Sequence, residues 1–420
     1  MTRGDVLMRS HGLIQHAPHV YTLGGQGNSL VVDLGGSLLL VDSGPGGDIT
    51  RRMIQEVRLH LGKPVAHIIY SHGHMGYNNG VDAWRQAAED NGYAPPQLIA
   101  HENVARRFRR YRETAGLQSY TNTRQFRTAY PENPPRHWFT QPDTTYRHTM
   151  LVHGADRCVQ LLHAPGETDD GTAVWIPESK VLYGSNAFIK TCPNIGSPYR
   201  ILRDPCVWAN TLEKFLDLDP DVLIPEFGKP LVAKEEIAEA LSVPAQALRH
   251  LRREVVRYMN AGMTVEEIIH TIELPAELFG SPYMKPSYGC AEFVIRDVWR
   301  SENGWWNRNP TDLHPSPVRT AANAVLAALT RPEQVLQHVL ALQKAGETQL
   351  ALHVVDLLAL ADSGTPAVIQ ARRLKAELCE QRAQELPSFV SRSLLLSAAD
   401  SLRGQAIGQT QGQKVAFEWV

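Results

Sequence analysis

The stretch VAHIIYSHGHMGY, residues 65–77, decides the fold of this 420-residue chain. Its first six residues are mostly apolar, which predicts a buried β-strand, and the glycines that follow predict a loop directly after it. Two histidines, His72 and His74, stand one residue apart in that loop. Neutral imidazoles are common ligands of Zn²⁺ and Fe²⁺. The pair is therefore a candidate for part of a metal site, and the remaining ligands must come from other segments of the chain.

Four other short segments carry polar residues at or near the ends of predicted strands, in a fixed order along the chain. They are VDSG (41–44), HAPGET (163–168), LYGSN (182–186) and LIPEFG (223–228). Together with the His pair they resemble the signature of the metallo-β-lactamase superfamily, in which such loops hold two metal ions. The resemblance implies an α/β fold, the αββα sandwich of that superfamily, and a metal-dependent hydrolase. It also implies that Asp42 braces the metal loop.

The resemblance sorts the candidate ligands into two groups. The first-metal positions carry side chains that bind Zn²⁺ or Fe²⁺ well: His72, His74 and Glu167. The second-metal positions carry no normal ligand: Gly76, Tyr77 and Phe227. The turn that supplies a bridging carboxylate carries Asn186, which is at most a weak ligand. We therefore predict one divalent metal, zinc in preference to iron, and no second metal.

Three residues are candidates for catalysis. Glu226 or Asp170 could act as the base if its carboxylate faces the metal. Tyr77 is either a catalytic side chain or a packing residue that fills the vacated second site. His67 and His101 are interpreted as core or capping residues. Because the Gly and Pro residues of the loops remain, we expect that restoring the four missing ligand types would recover a second metal.

Two longer segments narrow the resemblance to the alkylsulfatase branch: PGETDD, residues 165–170, and GWWNRNPTDLHP, residues 304–315. That branch implies hydrolysis of sulfate esters with two Zn²⁺ ions, and a helical dimerisation domain. Three functions remain open for a single-metal variant. The first is a hydrolase acting on a sulfate or related ester of a small organic substrate. The second is a non-hydrolytic iron enzyme built on two His and one carboxylate. The third is a metal-free pseudo-hydrolase.

The domain organisation follows from a change of pattern. Residues 1–232 read as alternating strands and helices, residues 233–404 as Ala- and Leu-rich helices, and residues 405–420 as a loose tail. We expect the helical part to form a homodimer. Aromatic residues are enriched at the cores of interfaces. We expect five of them there: Tyr283, Tyr288, Trp299, Trp305 and Trp306.

Composition excludes several classes of partner. The formal net charge is -2, and no basic stretch interleaved with aromatics is present, so no nucleic acid is expected. No apolar run approaches the roughly 20 residues that a membrane helix needs. The N-terminus lacks the apolar core of a signal peptide, and the five cysteines lack paired spacing. These features predict a cytoplasmic protein with free thiols and a small-molecule substrate.

Overall fold

The computed structural model describes residues 7–405 and 407. Its strands form two sheets. The first contains β1 (Ile14–Ala17), β2 (Val20–Gly25), β3 (Gly27–Asp33), β4 (Leu38–Val41), β5 (Val65–Ile69), β6 (Gln97–His101) and β7 (Thr144–Tyr146), in that order. The second runs in the order β12 (Val222–Pro225), β11 (Val181–Ser185), β10 (Thr172–Ile176), β9 (Cys158–His163) and β8 (Thr149–His153). Most of the predicted tail lies outside the described residues.

The apolar alternation of the strands builds a layered core. In β4, Leu39 and Val41 face the second sheet, and Leu38 and Leu40 face the helices on the other side. Successive side chains of a strand point to opposite faces, so a strand that is apolar throughout must be buried on both. Helices cover the outer faces of both sheets. The expected αββα sandwich is therefore confirmed.

The helices divide between the sandwich and the region that follows it. Those of the sandwich are α1 (Gly47–His60), α2 (Val81–Asp90), α3 (Asn103–Glu113), α4 (Ala115–Phe126) and α5 (Pro205–Asp217). Those of the following region are α6 (Lys234–Asn260), α7 (Val265–Thr271), α8 (Ala276–Phe279), α9 (Ala291–Asn303), α10 (Val318–Ala328), α11 (Pro332–Lys344), α12 (Thr348–Ala359), α13 (Pro366–Glu385) and α14 (Phe389–Leu402). Short 3-10 turns occur at Arg136–Phe139, Pro177–Ser179, Pro282–Met284 and Pro310–Asp312. The C-terminal region is all-helical, as expected.

The core is continuous across the predicted domain boundary. One apolar cluster joins Leu223 of β12 and Trp208 of α5 to Leu248 of α6 and Val294 of α9. The second sheet is thus covered partly by helices from beyond residue 233. The domain boundary at 232/233 stays a prediction, because the apolar core is shared by residues before and after it.

Three aromatics expected at a dimer interface are buried inside the single chain. Tyr283, Tyr288 and Trp299 are 4%, 8% and 5% exposed. The Tyr283 hydroxyl donates to Glu236 Oε1 at 3.0 Å, and Tyr283 and Trp299 both belong to the cluster beneath the second sheet. The interface prediction is therefore wrong for these three, because their partners lie in the same chain. Trp305 is 72% exposed and stays a candidate.

The sequence also predicts free thiols and no membrane-spanning helix. All five cysteines are free thiols in the structure. Within the described ranges, no helix has the length and apolar character needed to cross a membrane.

Candidate metal centre

The residues of the site lie at the ends of strands that share one edge of the sandwich. β4, β5 and β6 are parallel, so the loops that follow them meet at their carboxyl ends. In the other sheet, β11 and β12 are also parallel. Backbone hydrogen bonds tie the two edges together, from Thr172 N–H to Ser71 O at 2.7 Å and from Asn28 N–H to Glu226 O at 2.8 Å. Chain segments far apart in sequence thus converge on one site.

Asp42 braces the loop that carries the His pair. Its Oδ1 accepts from the Ser71 N–H at 2.9 Å and from Asn78 Nδ2 at 2.8 Å. The residue itself adopts a left-handed conformation with φ 63°, which Asp tolerates better than most side chains. Burial raises the pKa of Asp42 to about 7, although the hydrogen bonds from Ser71 and Asn78 oppose that rise. This contact matches the bracing role that the resemblance implied.

His72, His74 and Glu167 converge as the sequence predicts. Their candidate ligand atoms all lie within 4.8 Å of one another. His72 Nε2 is 2.9 Å from His74 Nδ1, and His74 Nδ1 is 3.5 Å from Glu167 Oε2. Two atoms that each bind Zn²⁺ at about 2.1 Å in tetrahedral geometry lie roughly 3.4 Å apart. The three side chains therefore fit one divalent ion with little rearrangement.

Both imidazoles are held in the neutral form that a metal requires. Burial lowers the pKa of His72 to about 4, despite the opposing charges of Glu167 and Asp170. Burial also lowers the pKa of His74, as does the neighbouring His72. The Ser71 hydroxyl lies 2.9 Å from His72 Nδ1 and leaves Nε2 facing His74. At neutral pH, protons therefore do not compete with a cation for these nitrogens.

Two side chains orient Glu167 by contacting Oε1, the carboxylate oxygen that faces away from His74. Asn194 Nδ2 donates to Oε1 at 3.0 Å, and Arg203 Nη2 lies 3.3 Å from the same oxygen. The other oxygen, Oε2, is left facing His74. Such outer hydrogen bonds fix the direction of a ligand and tune its affinity for the metal.

The structure shows the hydrogen-bond partners of two further candidate residues, Asp170 and Asn186. Asp170 Oδ2 accepts from Arg107 Nε at 2.7 Å and from the Gly73 N–H at 3.1 Å. Burial works to raise the pKa of Asp170, but the Arg107 charge outweighs it and the pKa is lowered. An ion-paired carboxylate of this kind braces the loop and is a poor base. Asn186 Nδ2 donates to Thr168 Oγ1 at 2.7 Å, so its side chain holds the loop of Glu167, and its role as a weak ligand through Oδ1 stays a prediction.

The space of a second metal is filled. Gly76 has φ 102°, and a Cβ at this position would lie 1.9 Å from Gln26 Oε1. Gln26 itself is buried and donates from Nε2 to Met75 O at 3.2 Å. Tyr77 and Phe227 pack into an apolar cluster nearby. The end of the Gln26 side chain occupies the position that an Asp side chain would need, and this contact argues against the expectation that the loops still present a second site.

Glu226 is the catalytic candidate whose carboxylate faces the metal ligands. Its Oε1 lies 3.9 Å from His72 Nε2. The Tyr77 hydroxyl forms a hydrogen bond with this carboxylate, and the Tyr77 ring centroid is 4.3 Å from that of His72. Burial, and then the charge of Glu167, raise the pKa of Glu226 well above its usual value. Tyr77 is thus both a packing residue and a hydrogen-bond partner.

A pocket lined by His74 and Glu167 opens beside the ligand cluster. One wall is α4, whose Gln118, Asn122 and Gln125 line the cavity. Arg200 and Arg203 lie in the loop before α5 and also line it. None of these residues stands out in the sequence. The three amides recur at a spacing that places them on one face of a helix, and the two arginines lie three positions apart in a loop, but neither pattern by itself indicates a pocket.

The capping interpretation of His101 is confirmed. Its Nδ1 accepts from the Asn103 N–H at 3.2 Å at the start of α3, and its Nε2 is 2.9 Å from Arg147 O. α3 carries Arg107, so this cap supports the helix that braces Asp170. His67 lies half-buried in β5 and does not join the ligand cluster.

Comparison with known families agrees with this geometry. Residues 22–226 match the model of the metallo-β-lactamase superfamily, and residues 264–405 match the alkyl sulfatase dimerisation model. The chain combines these two domains. A solved stereoselective inverting sec-alkylsulfatase from Pseudomonas sp. superposes with a TM-score of 0.81, at 21% identity, over 95% of this chain and 66% of that one. At this identity the superposition supports the shared fold alone.

The curated relatives in sequence are sulfatases. A linear primary-alkylsulfatase from Pseudomonas sp. is 27% identical over 71% of this chain and 60% of its own length. An (R)-specific secondary-alkylsulfatase from Pseudomonas sp. is 25% identical over 93% of this chain and 62% of its own length. An alkyl/aryl-sulfatase from Saccharomyces cerevisiae is 23% identical over 94% of this chain and 64% of its own length. The chain thus spans about three fifths of the length of these relatives.

Proposed function

We propose that this two-domain chain hydrolyses a sulfate ester of a small organic alcohol and uses one divalent metal ion, preferably zinc. The observation that carries the proposal is a single pocket in which a His/His/Glu ligand set meets two arginines. The ligand set suits a Lewis-acidic cation, and the arginines suit an anionic substrate. The sulfatase relatives support this reading and give no support to the iron or metal-free alternatives.

Each side chain has a role that follows from its position. A divalent ion held by His72, His74 and Glu167 would supply Lewis acidity towards the sulfate ester. Glu226 would accept the proton of the attacking water, because its carboxylate faces the ligand cluster with Oε1 3.9 Å from His72 Nε2. Tyr77 would hold that carboxylate towards His72 through its hydroxyl group. The oxygen of that water would form a bond to the sulfur or to the carbon of the C–O–S linkage, and the ester bond to the same atom would break. The alcohol and sulfate would then leave, and the proton taken up by Glu226 would pass to the leaving group or to solvent.

Arg200 and Arg203 would provide the positive charge that a second metal supplies in a binuclear site. Both line the pocket together with Glu167 and Glu226. A planar guanidinium can donate two parallel hydrogen bonds to the oxygens of a tetrahedral anion. The apolar side chains of Met75, Ile189 and Phe227 line the same pocket and would contact the organic part of the ester.

The test is sulfate release by protein of known metal content. Protein stripped of metal would be loaded with Zn²⁺ or Fe²⁺ and offered primary and secondary alkyl sulfates. We expect sulfate release with about one zinc per chain, loss of activity with a chelator, and a large loss of turnover in Glu226→Gln. If the loaded protein releases sulfate from none of these esters, or is equally active without metal, the proposal fails.

A further inference from the structure

Arg200 differs from Arg107 and Arg203, the other two arginines near the site, in the groups that its guanidinium contacts. Its Nη2 donates to Asn122 Oδ1 at 3.1 Å and also to Gln125 Oε1. In the described part of the chain, no carboxylate forms an ion pair with it. By contrast, Arg203 pairs with Glu167, and Arg107 pairs with Asp170. Arg200 is thus held by neutral amide oxygens alone.

This arrangement leaves a partly buried positive charge without a paired carboxylate among the described residues. A guanidinium removed from water is costly unless an anion offsets its charge. Burial, together with the like charge of Arg203, lowers the pKa of Arg200. Amide oxygens satisfy the direction of the hydrogen bonds but contribute no net charge. Because Arg200 lines the pocket, the missing negative charge can come from a bound ligand.

The amides are themselves fixed, so they define where the guanidinium sits. Asn122 and Gln125 are 5% and 1% exposed, one turn apart on the inner face of α4. Gln125 Nε2 donates to the Tyr288 hydroxyl at 2.8 Å. Tyr288 stacks on Phe389 of α14 with ring centroids 5.7 Å apart. The hydrogen bond from Gln125 to Tyr288 also fixes which end of the amide faces Arg200.

We propose that Asn122 and Gln125 are positioning residues that hold Arg200 in the pocket, unneutralised, so that its charge is offset by the anionic group of the substrate. Tyr288 orients Gln125 for this task. The inference rests on the proposed function for the identity of the anion as a sulfate ester. A substrate whose reacting group is neutral would leave Arg200 uncompensated and would bind poorly. The two amides thereby favour anionic over neutral esters.

The decisive variant is Gln125→Glu, which keeps a hydrogen bond to Arg200 and adds the missing carboxylate. We expect an unchanged or higher melting temperature and an unchanged Zn²⁺ affinity. The affinity of the zinc-loaded protein for inorganic sulfate, measured by calorimetry, should fall by at least about tenfold, because the new carboxylate competes with the anion. For an alkyl sulfate, the loss in kcat/KM should appear mainly in KM. A purely structural role of Gln125 would not raise stability while weakening sulfate binding.

Two further variants complete the test. Gln55→Glu adds the same charge on the exposed surface of α1 and should leave sulfate affinity unchanged. Asn122→Asp makes the same substitution at the second amide and should repeat the effect if Gln125→Glu does not fold. If both pocket variants bind sulfate as tightly as the wild type, or the wild type binds none, the inference is overturned. Weakened sulfate binding without hydrolysis of any ester would uphold it and count against the proposed reaction.

Discussion

At the level of single residues, His72 has a contact on each side of its ring. The Ser71 hydroxyl lies at Nδ1, His74 and Glu226 lie on the side of Nε2, and the Tyr77 ring packs against one face. The imidazole is completely buried and cannot be replaced by water or by a neighbouring side chain without rearrangement. Its removal should therefore cost the metal a ligand and also leave a cavity among these neighbours.

We expect His72→Ala to lose metal binding and all metal-dependent activity. Only two of the three side chains that would bind the metal remain, and loss of a group that merely orients such a ligand already costs roughly 10–100-fold in affinity. Competition with a chromophoric chelator measures the Zn²⁺ affinity directly. His153→Ala removes an exposed histidine of β8 and serves as the control. Full zinc content and turnover in His72→Ala would remove the site assignment.

Asp42 should make the stability of the metal-free protein depend on pH. Its pKa is raised to about 7 in the native state, whereas the unfolded chain ionises near 3.9. Between these values only the unfolded state releases the proton, so the free energy of unfolding falls as pH rises from about 4 to 7. Asp42→Asn keeps an acceptor for the Ser71 N–H and removes this dependence. Urea denaturation in the presence of a chelator, at several pH values, should show the difference between the two proteins narrowing towards pH 4; parallel curves would contradict it.

Residue chemistry could be predicted where it belongs to a motif. His72, His74 and Glu167 meet in space because their loops follow strands that share one edge. Gln26 and Arg200 could not be predicted in the same way. Gln26 comes from the β2–β3 turn and reaches Met75, 49 positions away in the chain. Such contacts depend on how loops from different sheets approach each other, and no local pattern encodes them.

At the level of elements, the loop that follows β5 packs closely against Gln26 from the β2–β3 turn. Restoring Asp at 76, His at 77, Asp at 186 and His at 227 introduces four ligands into a space that Gln26 still fills. The Asp at 76 would also adopt the φ of 102° that favours glycine. We expect this fourfold variant, if folded, to titrate only one Zn²⁺ per chain by elemental analysis. The same variant with Gln26→Ala is the comparison. A second tightly held zinc in the fourfold variant would show that the loop adapts more easily than its geometry implies.

The elements that the sequence analysis missed share a physical reason. An element with an apolar pattern is predicted closely: the apolar run 65–70 predicts a strand, and β5 spans Val65–Ile69. α4 is missed because its buried face is largely polar: Gln118, Ser119, Thr121, Asn122 and Gln125. A search for apolar periodicity finds helices that pack on a core and overlooks one that lines a polar pocket. α4, the helix that lines the pocket, was therefore the hardest helix to predict from the sequence.

For the whole molecule, assembly depends on the helical region. Several apolar side chains remain exposed there: Val318, Val325, Leu340, Leu350, Leu357 and Ile369, with Trp305 nearby in sequence. The alkyl sulfatase dimerisation match covers these residues. A permanent dimer would bury at least about 2,000 Å² in total. These side chains supply apolar surface that stays exposed within residues 7–405.

We expect a homodimer at micromolar concentration. Sedimentation velocity should show one species at about twice the chain mass of 46.8 kDa, because the exposed apolar surface is costly to leave in water. Zinc-loaded and metal-free protein should behave alike, since the helices concerned lie outside the ligand cluster. A single species at the mass of one chain would rule out a stable dimer.

Gln26 also has a consequence for how the loop after β5 tolerates substitution. A side chain at 76 would meet the end of Gln26, whose Oε1 lies 1.9 Å from the position of a Cβ there. The two positions are therefore coupled, and a larger residue at 76 should be better tolerated when residue 26 is small. Substitutions at 26 and 76 should accordingly change stability in a non-additive way.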